Sequence, residues 1–188
     1  MPASDDDKTG DKPGDKPGDI SGEAGRSRGR TDRSGRAHGR EVALLALCHL
    51  ESYREDERAG ALEIFWTHAP SEAGDDGAEL RSWFADPEAL TFARRLLAPV
   101  LTRPAEVDAA IEATSRSWRL ARMDRVDRNI LRMVVAELGD LSETPRAVIV
   151  AEAVPLASRY GSERSAPFVN GVAEALGKRL RPTSPTSK

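Results

Sequence analysis

A single cysteine, Cys48, rules out an intrachain disulfide and a cysteine-rich zinc site. No apolar run approaches the ~18–20 residues that span a bilayer. The opening Met1-Pro2-Ala3-Ser4-Asp5-Asp6-Asp7 lacks the basic start and apolar stretch of a secretion signal. These absences fit a soluble chain in a reducing, cytoplasmic setting. No glycine loop is built to cradle phosphate, and there is no Gly-x-Ser-x-Gly elbow. His38, His49 and His68 have no acid or cysteine partner at metal-ligand spacing. Acids are plentiful, but solvated helix faces account for them. The reading is therefore of a non-enzyme with no catalytic residue, no metal and no cofactor.

Apolar residues are missing from one end. Residues 1–38 hold one large aliphatic side chain, Ile20, and no Phe, Tyr or Trp. Core-forming material lies between Val42 and Leu180, a stretch long enough to bury a sizeable core. The net charge of −3 conceals an asymmetry. Residues 1–23 carry −4 and residues 24–40 carry +5, all of the positive charge there from arginine. Residues 10–19 repeat Gly-Asp-Lys-Pro, which suits neither helix nor strand. The expected organisation is a disordered acidic-then-basic tail over 1–38, a helical domain over 39–181 and a disordered end over 182–188. The basic arm reads either as a solubilising linker or as a phosphate-binding arm.

Within the domain the apolar period is helical throughout. Residues from about Arg40 to Tyr53 are apolar nearly all round, as in a central helix. A second helix is expected from Glu57 to about Ala69, followed by a polar loop over 70–78. Asp86-Pro87-Glu88 is a helix start, with Asp86 as cap and Pro87 in the first turn. Pro104 opens another helix, and Val126, Ile130, Leu131, Val134 and Leu138 mark the next, with Gly139 at its end. Arg146–Tyr160 should be helical but kinked at Pro155. The last helix is expected to begin at a Ser165 cap and to bury Phe168, Val169, Val172, Leu176 and Leu180. No stretch alternates as a strand does. The fold class is all-α, with about seven helices.

Three segments, in this order and spacing, resemble the NusB family over roughly residues 36–180. They are Arg40-Glu41-Val42-Ala43-Leu44-Leu45-Ala46-Leu47, then Trp118 with Arg125-Val126-Asp127-Arg128-Asn129-Ile130-Leu131-Arg132 and Ala136-Glu137-Leu138, then Tyr160-Gly161-Ser162-Glu163 with Phe168-Val169-Asn170-Gly171-Val172. The resemblance implies two small helical bundles packed across each other. It also implies transcription antitermination: binding of boxA-type single-stranded RNA together with the ribosomal protein NusE, within the RNA polymerase elongation complex. Arg36 and Arg40 then match the family's basic start, with Arg33 just upstream as part of the arm. Tyr160 matches an aromatic position near the RNA surface, though core packing at a helix end is also open to it. Asn170 can read a base edge or cap a loop. Arg164 stands where an acid is common in the family, and should attract phosphate. Asp127, on the polar side of its helix, matches an acid that faces NusE. Trp118 reads as a core anchor and Gly171 as a point of close helix approach. Cys48, Ala151 and Pro155 depart from the family pattern. The alternative is a helical adaptor that binds protein without RNA; an RNA-binding module of an RNA-modifying enzyme is a third reading. The oligomeric state stays open, a homodimer that hides the RNA surface included.

Overall fold

The computed structural model describes residues 23–72, 77–115 and 119–182, with side chains described from Gly35 onward except at Glu72. The acidic leader, Trp118 and residues 183–188 therefore lie outside the described residues. Among the described residues there are eight α-helices and no strand. They are α1 (Glu23–Leu50), α2 (Arg58–Glu72), α3 (Ala78–Phe84), α4 (Pro87–Thr102), α5 (Pro104–Glu112), α6 (Arg125–Asp140), α7 (Arg146–Tyr160) and α8 (Ser165–Leu180).

Two bundles share one core. The first gathers α1 to α5, and the second α6 to α8, with α6 packed on α1 and α4 as well as on α7 and α8. Leu44, Leu96, Ile111, Ile130, Leu131, Ile149 and Leu176 are fully buried and belong to a single apolar cluster. Burying each such side chain is worth about 1.5–3 kcal/mol, so the shared core ties the bundles firmly. As its composition predicts, α1 runs through the centre, with Val42, Ala43, Leu44, Ala46, Leu47 and Leu50 all buried.

Several local expectations are realised in detail. The Asp86 carboxylate accepts from the Glu88 backbone N–H at 2.9 Å, satisfying one of the free donors at the start of α4. Pro104 sits in the first turn of α5.

Other features differ from expectation. The first helix begins at Glu23 rather than near Arg40, and Gly35 and Gly39 are already buried against α4. A Cβ at Gly39 would lie 2.8 Å from the Ala89 carbonyl oxygen and 3.0 Å from the Phe92 Cβ. The glycines that make the arm look tail-like thus let α1 approach α4 closely. Gly171, expected at a close helix approach, instead faces open space on α8. α2 continues through Pro70 to Glu72. Gly139 lies inside α6, which ends at Asp140. α7 spans Arg146–Tyr160 as expected, with Pro155 inside it and exposed. Ser165 is the first residue of α8 rather than its cap; its hydroxyl accepts from the Ser162 backbone N–H at 2.8 Å and closes the α7–α8 turn.

Candidate nucleic-acid interface

The arm is the first half of α1. Steps of three and four residues place positions 26, 30, 33, 36 and 40 along one helix face. Arg33 occupies this helical segment, and its side chain lies outside the described residues. Arg36 is half-buried, its guanidinium 5.7 Å from the Phe92 ring centre.

Arg40, expected on the RNA surface, turns inward. It is 4% exposed. Its Nε donates to Glu137 Oε2 at 3.0 Å and its Nη2 to Oε1 at 2.5 Å. Glu152 lies 3.6 Å from its Nη1, and the Phe92 ring centre 5.1 Å from its guanidinium carbon. A fork-to-fork pair of this kind uses the guanidinium's directional donors on a buried carboxylate, leaving Arg40 to hold α1 on α6. Of the arginines described on this face, Arg36 is half-buried and Arg40 is turned inward.

Tyr160, at the end of α7, is half-buried beside Glu41 of α1. Burial first, and then the Glu41 carboxylate, push its phenol well above the ordinary range, so it stays a neutral hydroxyl. Burial also raises Glu41, against the lowering influence of Tyr160 and Arg159. Arg159 bonds Glu79 at 2.6 Å and reaches Glu41 at 3.5 Å. Its guanidinium lies 5.4 Å from both the Trp83 and the Tyr160 ring centres, and His38 stacks on Trp83 at 5.7 Å. Four planar groups, from His38 to Tyr160, thus line up where α1, α3 and α7 meet.

Sequence reasoning did not single out Arg159, His38 or the buried Trp83 for this meeting point. The one signal was the adjacency of Arg159 to Tyr160. Trp83 lies on α3, a seven-residue helix too short to show a period. Arg164 is exposed in the α7–α8 turn, and Asn170 is exposed on α8. Phe168 is half-buried and Val169 fully buried, as the core reading of both requires.

Asp127, read on the polar side of its helix, is 5% exposed, and its Oδ1 has no protein partner. Burial raises its carboxyl, with the Ser165 hydroxyl acting in the opposite direction. The cause is the position of α6 between the bundles, which covers even its polar positions; Asn129 and Glu137 are buried too.

Arg128 bonds Glu51 through Nε at 3.0 Å and Nη2 at 2.8 Å. Its Nη1 donates to the backbone oxygens of Met123 and Leu120. Arg132 bridges Glu51 and Asp108. Burial alone would raise Glu51, yet the hydrogen bonds and charges of Arg128 and Arg132 outweigh it and hold the carboxyl below its ordinary value. These arginines are structural ties between α1, α5 and α6.

Among the described residues, no group of three or more His, Cys, Asp or Glu side chains could hold a metal ion. No helix among them is long and apolar enough to cross a membrane.

A family model described as the NusB family matches residues 38–178. The chain is 41% identical over 145 residues to a protein of Sorangium cellulosum described as transcription antitermination protein NusB, covering 77% of this chain and 93% of the relative. It is 42% identical over 145 residues to the protein of the same description from Myxococcus xanthus, covering 77% and 96%. The solved structure of T. maritima NusB superposes with a TM-score of 0.63 at 29% identity, over 78% of this chain and 93% of that one. On these matches the chain belongs to the NusB family, a non-enzymatic family.

Proposed function

We propose that this chain is an RNA-binding transcription antitermination factor. It grips boxA-type single-stranded RNA in company with the ribosomal protein NusE and acts on the RNA polymerase elongation complex during ribosomal RNA transcription. The observation that carries the reading is a juxtaposition. α1 carries Arg36 shortly before His38, which stacks on Trp83 beside Arg159, and before Glu41, which faces Tyr160. Unpaired RNA needs cations for its phosphates and planar groups for its bases. Arg33 and Arg36 supply the first, Tyr160 the second, and Arg164 and Asn170 extend the surface. Arg40 supports it from behind, through Glu137. The family's antitermination relatives point the same way.

The test is capture of labelled boxA RNA by the full chain, with and without purified NusE. Specific capture that strengthens when NusE is added is expected. Capture of NusE with no RNA in the complex, unchanged by removal of residues 1–38, would favour a protein adaptor instead.

A further inference from the structure

Beside the arm, α1 and α4 enclose a groove of about 360 Å³ lined by Arg36, Pro87, Glu88, Thr91, Phe92 and Arg95. Its two cations stand on different helices, Arg36 on α1 and Arg95 on α4. Pro87 and Phe92 supply apolar surface between them.

The groove already shows which chemistry its cations attract. The Arg95 Nη2 holds the Glu143 carboxylate at 2.5 Å, and Arg36 acts on the same carboxylate. That pair is open to water, with the Arg95 side chain 46% and the Glu143 side chain 37% exposed. An exposed ion pair contributes little to stability and can be exchanged. An RNA phosphodiester carries the same single charge and offers the Arg95 guanidinium two acceptor oxygens, a geometry suited to its paired donors. Glu88 is the opposing charge on the rim. It admits an anion only where a guanidinium receives it, which favours a defined seat over diffuse attraction.

We propose that this groove seats one nucleotide of the bound RNA, with Arg95 a further phosphate-binding residue and Glu143 the carboxylate that the phosphate displaces. The phosphate bridges the Arg36 and Arg95 sides, and the sugar or base lies on the exposed Pro87 and Thr91. The inference rests on the RNA-binding reading above. It adds α4 to the interface, an element that no motif in the sequence marked.

The experiment is fluorescence anisotropy of a labelled single-stranded boxA RNA with the full chain, across a salt series. Arg95→Ala is expected to weaken binding about tenfold and to flatten the salt slope by about 0.7, the share of one phosphate contact on a single strand. Glu143→Gln is expected to tighten binding two- to threefold at low salt, because the competing carboxylate loses its charge. A merely structural Arg95–Glu143 pair would not produce that gain. Amide shifts at Thr91 and Arg95 on RNA addition give a readout that needs no variant.

Wild-type affinity retained in Arg95→Ala while Arg36→Ala weakens binding would overturn the groove and leave the arm standing. Retained RNA affinity with weakened NusE capture would assign the groove to protein. An RNA that neither salt nor Arg36→Ala affects would sink the underlying reading as well.

Discussion

Replacing Glu137 with alanine is expected to lower the unfolding free energy by about 3–5 kcal/mol, the usual cost of removing one partner from a buried ion pair. Both partners of the Arg40–Glu137 pair are buried, so the orphaned guanidinium would stay out of water. Glu152, 3.6 Å away and partly exposed, offers only weak compensation. The loss therefore exceeds the worth of a single buried aliphatic side chain. The attraction between the charges is largely offset by their desolvation. A double replacement by apolar residues, Arg40→Met with Glu137→Leu, should accordingly recover most of the loss. Urea unfolding followed by circular dichroism reads both variants. A cost below about 1 kcal/mol for Glu137→Ala would show that water reaches the pair.

The second large effect lies near the end of the chain. Arg181 gathers four backbone carbonyls with one guanidinium. Its Nε donates to Leu138 O at 2.6 Å and its Nη1 to Thr144 O at 2.6 Å. Its Nη2 donates to Glu137 O at 2.8 Å and Leu141 O at 2.9 Å. These are carbonyls at the end of α6 and in the turn beyond it, where a helix leaves its last acceptors free and carries partial negative charge. Arg181 is in turn held by Arg146, whose Nη1 donates to its carbonyl at 3.1 Å. One side chain thus joins the ends of α6 and α8 to the start of α7.

Arg181→Ala should cost about 2–4 kcal/mol, since each hydrogen bond to a charged group is worth about 1.5–3 kcal/mol and water replaces part of them. Arg181→Lys should restore less than half, because an ammonium cannot spread over four acceptors in a plane. Thermal unfolding of the two variants checks this. Full rescue by lysine would mean that charge alone, and not the fork, holds the helix end.

The sequence made the helices legible because apolar residues recur at three- and four-residue steps and because Asp86-Pro87 and Pro104 mark starts. It did not make α3 legible, since seven residues with Ala78, Leu80, Trp83 and Phe84 apolar are too few to show a period. It hid the true start of α1 behind Gly35 and Gly39, whose missing side chains serve packing against α4.

The charged residues were hardest to read. Arg40 looked like part of a basic arm, and only the fold brings Glu137, 97 positions away, against it. Asp127 looked polar-faced because the sequence does not tell that α6 is covered on both flanks. Tyr160 and its turn were legible through the family resemblance, whereas the neighbouring Arg159, Trp83 and His38 depend on three helices meeting. Arg95 had no motif to mark it, being one of two adjacent arginines on an ordinary amphipathic helix.

The most direct test of the central claim, that Arg36 and the arginine arm of α1 grip an unpaired transcript, is the salt dependence of RNA affinity for three chains: wild type, Arg36→Ala and Arg40→Ala. With about three phosphate contacts, log affinity should fall against log salt with a slope on the order of −2 in the wild type. The slope should flatten by about 0.7 in Arg36→Ala and stay unchanged in folded Arg40→Ala, whose guanidinium is turned inward. Affinity indifferent to salt, or equally altered by both substitutions, would contradict the account.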